Sequence, residues 1–193
     1  MNGDTLELKQ KIHDALLVEL VKKDSNGKFP NLLKLVSDGN FSSVKCSVDL
    51  EDKGCVDVVL TYPKHGASSV VEDVPVPGDV LVVGLAGTDD IAIELITDID
   101  FDAGKKLEQV NRYKKGYKDV RVVIPEEYNS VYGQLFSMND IKVHTWTGTR
   151  RWKGKYCRHI TEVKDSSEQP IKCSKCPKRE LFFIGFKDDV TFK

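Results

Sequence analysis

The sequence lacks the features of membrane-spanning and exported proteins. No run of eighteen apolar residues occurs in the 193-residue chain, whereas a transmembrane helix needs about 20. The N-terminal segment MNGDTLELKQ does not have the basic-then-apolar pattern of a secretory signal peptide. The five cysteines are an odd number, which argues against a disulfide framework. We therefore expect a cytoplasmic protein without a membrane partner.

The motifs of several enzyme classes are also missing. The chain contains no Walker loop, no dinucleotide-binding fingerprint and no serine-nucleophile elbow. His13, His65 and His144 fall on a predicted helix, a loop and a strand, and the pattern assigns none of them to catalysis.

Charge is distributed unevenly although the net charge is −1. Residues 1–100 hold nine Lys and no Arg against eighteen acidic residues, and residues 101–160 hold thirteen basic residues against six acidic ones. An acidic half followed by a basic segment indicates an anionic partner for the second region. Two ordinary solvated faces would give the same pattern.

Hydrophobic periodicity predicts an α/β fold with a central mixed sheet. The segments 44–50 and 55–62 are expected to form one hairpin, and 80–85 with 91–96 a second. The continuously apolar segment 119–125 is typical of a buried strand with parallel neighbours. Helices are expected at residues 5–23, at the segment NLLKLVSD, at 105–117 and after Pro125. We expect one α/β domain at 1–148 and a small appendage at 149–193.

A carboxylate inside the apolar strand IAIEL is the main candidate for a functional residue. Glu94 interrupts this strand, and burying a charge is costly unless something binds it. In the second predicted hairpin, Asp79 lies roughly opposite Ile96 and shares a face with Glu94. Two carboxylates suit Mg²⁺ or Mn²⁺. The alternative is that Asp79 is a turn residue and that Glu94 pairs with a lysine.

The order of these elements resembles the PD-(D/E)xK, or restriction-endonuclease-like, nucleases. Asp79 matches the first acid of that family and Glu94 the second, and Gln109 with Tyr113 matches the Gln-x-x-x-Tyr motif of some branches. Glu19 matches an additional helical acid. The resemblance spans roughly residues 5–147. It implies an α/β/α sandwich with a catalytic Mg²⁺ or Mn²⁺ bound by Asp79 and Glu94.

The chain departs from this family at the lysine that helps to position the attacking water. Ile96 stands at that position. Lys106 lies on one helix face with Gln109 and Tyr113, so it is the expected substitute, with Lys105 second. Asp57 is the alternative to Asp79 as the first acid.

The C-terminal cysteines predict a zinc-ribbon-like appendage. Cys173 and Cys176 form a knuckle that can grip one ion, and Cys157 can supply a third ligand. Gly154 stands where a fourth cysteine is usual, so His159 is the expected replacement. The alternative is a metal-free ribbon.

The segment TGTRRWKGKYCR combines cations with aromatic side chains, a pattern that suits phosphate contacts and base stacking. The alternative is a solvated basic turn whose tryptophan anchors the appendage to the main domain. The residues expected to contact DNA or RNA are Arg150, Arg151, Trp152, Lys153, Lys155 and Arg158.

Two functions follow from the resemblance. The first is a metal-dependent nuclease that hydrolyses phosphodiester bonds in DNA or RNA. The second is a catalytically inactive nuclease-fold protein that binds nucleic acid or a protein partner. The sequence leaves the oligomeric state open, a homodimer included.

Overall fold

The chain folds into helices and strands that form two sheets. The computed structural model describes residues 3–36, 39–50, 55–62, 81–82, 90–97, 102–154, 157–164, 181–187 and 190–193, with the backbone alone at 3–6 and 81–82. The helices are α1 (Gly3–Leu20), α2 (Pro30–Leu35), α3 (Ala103–Tyr113) and α4 (Gln134–Ser137). The strands are β1 (Ser43–Asp49), β2 (Cys55–Thr61), β3 (Leu81–Val82), β4 (Ile91–Leu95), β5 (Asp119–Pro125), β6 (Lys142–Thr147), β7 (Arg150–Gly154), β8 (Ile160–Val163), β9 (Leu181–Phe186) and β10 (Thr191–Phe192).

Within the described residues, the main sheet has seven strands in the order β10-β6-β5-β4-β2-β1-β3. Antiparallel pairs join β1 to β2, β2 to β4 and β10 to β6. Parallel pairs join β4 to β5 and β5 to β6. The expectation of a mixed α/β fold is confirmed, as are the first hairpin and the parallel pairing of β5.

The predicted second hairpin is wrong. Strand β4 has β2 on one side and β5 on the other, so both of its edges are paired. The segment that was expected to pair with it contributes β3, which instead lies parallel to β1. The physical reason is that sequence proximity favours a hairpin, whereas burial of the apolar strand β4 at the centre of the sheet requires two long-range neighbours.

The helix predicted after Pro125 is replaced by three short helical segments. A 3-10 turn (Glu126–Tyr128) leads into a π turn (Asn129–Gly133), which leads into α4. The run Asn-Ser-Val-Tyr-Gly has low helix propensity throughout, so it does not enforce one regular α-helical segment.

Two hydrophobic cores lie on the two faces of the main sheet. On one face, leucines of α1 and α2 pack against Val58, Leu60 and Ile93. On the other face, residues of α3 and α4 pack against Val59, Ala92 and Val122. The sheet therefore lies between helical layers, and both faces of its central strands are buried.

A second sheet of three strands, in the order β8-β7-β9, lies against the N-terminal helix. Trp152 of β7 packs in one cluster with Ile12 of α1 and Val163 of β8. The chain enters this sheet after β6 and returns to the main sheet with β10. No helix in the described part of the chain is long and apolar enough to cross a membrane.

Candidate active site

Helix α3 supplies three side chains to the candidate site. Asp102 caps its N-terminus, because the Asp102 carboxylate accepts hydrogen bonds from the amides of Gly104 and Lys105. Val110 and Tyr113 are buried against the sheet. This fixes the rotation of the helix, so that Lys106 and Gln109, which are neighbours of Tyr113 on the helix surface, point toward β4.

Glu94 is the centre of the site. Its side chain is 3% exposed, and its Oε1 accepts hydrogen bonds from Lys106 Nζ at 2.7 Å and from Gln109 Nε2 at 3.1 Å. The Tyr113 hydroxyl lies 3.4 Å from Glu94 Oε2 and donates to the backbone carbonyl of Cys55 at 2.6 Å. Gln109 Nε2 also donates to the Tyr113 hydroxyl at 2.5 Å. One carboxylate is therefore held by three side chains from a single helix.

Asp57 is the second buried carboxylate of the site. The register between β2 and β4 pairs Val58 with Ile93, so Asp57 is opposite Glu94 in the next pair. Opposite residues of an antiparallel pair share a face, with Cβ atoms about 5 Å apart. Asp57 Oδ2 accepts a hydrogen bond from the amide of Leu95 at 2.6 Å. The structure thus pairs Glu94 with Asp57, which the sequence analysis gave as the alternative to Asp79.

A distortion of the first hairpin makes room at this point. The register places Ser47 of β1 opposite Asp57, and Ser47 has a φ of 53°. Cys46 packs in the core beside α1, whereas Val48, two residues later, packs in the core beside α3. On a regular strand these two side chains would share a face. The strand therefore reverses, at Ser47, the face to which its side chains point. Asp57, opposite this reversal, is accessible from the α1 side of the sheet and from the α3 side.

A cavity of about 350 Å³ opens over the two carboxylates. Its lining comes from both helical layers and from the sheet: Lys9, Gln10, His13, Ser47, Cys55, Asp57, Glu94, Leu95, Ile96, Thr97, Lys106 and Gln109. A cavity in which two acids lie among other polar side chains suits a small, hydrated, cationic or phosphate-bearing ligand.

His13 of α1 belongs to this site, although sequence analysis assigned it no role. His13 Nε2 lies 2.9 Å from Asp57 Oδ1. The available signal was its spacing: His13 is four and seven residues before the buried Leu17 and Leu20, so it lies on the core-facing side of the helix.

Burial and mutual charge shift the protonation equilibria of the site. Burial raises the pKa of Glu94, and the negative charge of Asp57 raises it further; Lys106 and His13 oppose this rise, and the pKa is about 7. Burial lowers the pKa of His13, but its hydrogen bond to Asp57 and the charge of Asp57 outweigh burial and raise the pKa to about 9. The ionised form of Glu94 therefore depends on its cationic neighbours Lys106 and His13.

The two carboxylates fit a hard divalent cation. Mg²⁺ is usually bound through one or two carboxylates, with water and substrate phosphate oxygens completing its octahedron. Glu94 and Asp57 are two carboxylates of this kind, and both line the cavity. Among the described residues, no group of three or more His, Cys, Asp or Glu is arranged to hold a metal ion. Water and substrate would therefore have to complete the coordination.

Other predicted site residues do not join this cluster. Glu19 is on α1, but its carboxylate lies 3.8 Å from Lys22 and outside the cavity lining. This is a correction, because the helix rotation that buries Leu17 and Leu20 turns Glu19 away. Lys105 is exposed and lies 3.5 Å from Asp102. Asp79 lies outside the described residues.

The predicted zinc ligands are described only in part. The side chain of Cys157 is half-buried, and that of His159 is exposed. The amide of Cys157 donates to the carbonyl of Gly154 at 3.4 Å, which closes a turn. Cys173 and Cys176 lie outside the described residues, so the zinc site stays a prediction.

Two of the predicted nucleic-acid contacts are wrong. Trp152 is 2% exposed and packs edge to face on Phe183, and Arg150 is also buried. Residues alternate across β7, and the inward positions are held against α1, so neither side chain can reach a base. Arg151, Lys153 and Arg158 keep exposed or partly exposed side chains, and Lys155 lies outside the described residues. Trp152 has the anchoring role that was the alternative interpretation.

No family model, no curated protein and no solved structure matches this chain.

Proposed function

We propose that this protein is a metal-dependent nuclease with a restriction-endonuclease-like core. The observation that carries the proposal is the ion pair between Lys106 Nζ and Glu94 Oε1 at 2.7 Å. This ion pair supports the expectation that Lys106 of α3 substitutes for the family's lysine, at whose position this chain has Ile96. Ile96 itself is buried in the core beside α3, where a lysine could not be accommodated without loss of packing.

The proposed roles follow from the contacts of each side chain. Asp57 and Glu94 bind the catalytic cation, with Asp57 in the place first expected for Asp79. A bound Mg²⁺ or Mn²⁺ would neutralise charge developing on the phosphate and make a bound water more acidic. Lys106 keeps a positive charge beside Glu94, where the resembling family uses a lysine to position the attacking water. Gln109 and Tyr113 hold the Glu94 carboxylate in one orientation.

A catalytically inactive binding protein is the second candidate, and one observation favours it. Both carboxylates already have cationic neighbours in the absence of metal: Lys106 contacts Glu94, and His13 contacts Asp57. A site that is neutralised by its own side chains has less need of a metal ion. The two candidates differ in whether Mg²⁺ or Mn²⁺ binds and supports cleavage.

A cleavage assay with Mn²⁺ or Mg²⁺ on duplex, single-stranded and branched DNA and on RNA tests the proposal. Glu94→Gln preserves shape but removes the charge, and we expect a loss of at least about 10²-fold in rate. Asp57→Asn should have a comparable effect, whereas Asp79→Asn should keep most of the activity. Glu126→Gln, at a surface ion pair with Lys193, is the matched control. Absence of cleavage on every substrate with either metal would leave the inactive binding protein.

We also propose a structural Zn²⁺ held by Cys157, His159, Cys173 and Cys176. Three thiolates and one imidazole form a donor set that zinc accepts in tetrahedral sites. Elemental analysis of the purified protein should find about one equivalent of zinc, and Cys173→Ser should release it. Less than about a tenth of an equivalent in the wild-type protein would remove this proposal.

A further inference from the structure

The three-stranded sheet has one face that is not packed on α1. Residues alternate across β7, so Arg151 and Lys153 lie on the face opposite to Trp152. The register pairs Lys153 with Ile160 of β8 and with Phe182 of β9. Ile160, Lys153 and Phe182 therefore form one row across the outer face, with neighbouring Cβ atoms about 5 Å apart. Phe182 is 39% exposed, and Ile160 and Ile184 are similarly exposed.

Cations lie among these apolar side chains. Lys153 is at the centre of the first row, and Arg151 is at the centre of the next, 4.0 Å from Glu162. Lys187 also contacts Glu162, at 2.7 Å, so this single acid is shared by two cations. Arg158, which lies between β7 and β8, is also exposed. The outer face is therefore positively charged as well as apolar, which fits a polyanion that also carries flat apolar groups.

We propose that this outer face binds single-stranded nucleic acid by stacking unpaired bases on Phe182 while Lys153 and Arg151 contact phosphates. The inference deepens the proposed nuclease function and rests on it for the class of partner. Outward aromatic side chains on small antiparallel sheets are a common platform for unpaired bases. A duplex keeps its bases stacked internally and offers nothing to Phe182, so the exposed ring selects single strands.

A protein partner fits the same face less well. The centres of protein interfaces are depleted in lysine, and Lys153 lies at the centre of the row between Ile160 and Phe182. Covering it with an apolar partner would desolvate the ammonium group, and Glu162 is not in its row.

The outer face is fixed relative to the cavity by helix α1. Leu8 and Ile12 of this helix pack on the inner face of the sheet around Trp152. Lys9 and His13 of the same helix line the cavity over Glu94. A strand held on the sheet is thereby tethered at a constant distance from the carboxylates, which raises its local concentration there.

The test is a binding measurement that does not depend on cleavage. Fluorescence anisotropy of labelled oligothymidine, with the Glu94→Gln protein and no added Mg²⁺ or Mn²⁺, should show binding that weakens from about 50 to 200 mM salt. Phe182→Ala should weaken it about 5- to 150-fold, the expected loss of one stacked base. Phe182→Trp should restore it, and Phe182→Leu should not. Lys153→Gln should lower the logarithmic salt slope by about 0.7.

Two controls accompany the measurement. Met138→Ala removes a side chain that is 85% exposed directly after α4, and it should leave oligothymidine binding unchanged. Binding to a duplex should be weaker and insensitive to Phe182→Ala. The inference would be overturned if wild-type and Phe182→Ala proteins bound oligothymidine with equal affinity. It would also be overturned if the wild-type protein self-associated and Phe182→Ala abolished this self-association. Binding without cleavage by the wild-type protein would remove the nuclease proposal alone, and cleavage without Phe182-dependent binding would remove this inference alone.

Discussion

The cavity and the outer face of the small sheet use charge in opposite ways. In the cavity, Glu94 is almost completely buried and Lys106 is 29% exposed, so their interaction acts through a low effective dielectric. On the outer face, Lys153 is exposed, and salt screens its field within about 8–10 Å. Buried charges can fix geometry and shift pKa values, whereas exposed charges mainly attract a partner. The comparison therefore separates the proposed catalytic cavity from the proposed binding face.

Helix α1 joins these two regions through adjacent residues. Ile12 packs on Trp152 beneath the small sheet, and His13 contacts Asp57 in the cavity. Two consecutive residues of one helix therefore make an apolar contact with the small sheet and an ionic contact in the cavity. Changes that move α1 should affect both regions, while changes on the outer face should affect only recruitment.

The largest expected effect is on the free energy of unfolding. It is a comparison of two aromatic residues, one on each face of the small sheet. Trp152→Ala should lower the free energy of unfolding by about 3–5 kcal/mol, because it opens a cavity between the sheet and α1. Phe182→Ala, on the opposite face, should lower it by only about 1–2 kcal/mol, because this side chain is 39% exposed. Denaturant unfolding followed by circular dichroism measures both. Similar losses for the two variants would mean that the outer face is also part of a packed core.

The next effect concerns the two adjacent lysines of α3. Lys106→Ala should reduce cleavage by about 10²- to 10³-fold, because it removes the cation beside Glu94. Lys105→Ala removes an equivalent charge whose side chain is exposed and faces Asp102, and its rate should stay within about twofold of the wild type. Steady-state cleavage rates at saturating Mn²⁺ give the comparison. A larger loss for Lys105 would reverse the assignment of the two lysines.

Local patterns made part of the cavity predictable. The grouping of Lys106, Gln109 and Tyr113 follows from helix spacing alone, and Glu94 was conspicuous as one carboxylate in an apolar strand. The partner acid was not predictable in this way. The choice between Asp79 and Asp57 depended on which strand pairs with β4, and that pairing joins residues far apart in sequence.

The same limit applies to the small sheet. Its basic segment was evident in the sequence, but the side of β7 that faces α1 depends on tertiary packing. If the alternation were shifted by one residue, Trp152 would face the solvent and Lys153 would face the core. Phe182 carried no signal as a surface residue, because an aromatic in a short apolar strand is usually buried.

Alkaline pH should weaken the tie between α1 and the cavity in the metal-free protein. The pKa of His13 is about 9 in the folded protein, above its ordinary value of 6.5. The folded state therefore binds this proton more tightly, and the resulting stability is fully present below pH 6.5 and lost as pH rises through 9. The shift corresponds to about 3 kcal/mol.

The measurement is the free energy of unfolding in EDTA for wild-type and His13→Gln proteins across this pH range. The advantage of the wild type should shrink by about 3 kcal/mol between the two limits. Glu94 titrates in both proteins, but His13→Gln also removes a positive charge that lowers its pKa, so the difference reports on His13 together with its interaction with Glu94. A difference that does not change with pH would show that the contact with Asp57 carries no net charge interaction.

The smallest effect tests how the sheet makes room for Asp57. Ser47 has a φ of 53°, a region that costs an L-residue about 1–2 kcal/mol and glycine almost nothing. Ser47→Gly should therefore stabilise the protein by about 0.5 kcal/mol after the entropy cost of glycine in the unfolded chain. Ser47→Val should destabilise it by about 1–2 kcal/mol, since a β-branched residue tolerates this conformation poorly. Asp140→Gly, at the other described non-glycine residue with φ of 53°, is the control for stability without proximity to the cavity. An unchanged stability of Ser47→Val would show that the positive φ at Ser47 is not required, and the proposed reversal of the strand would be wrong.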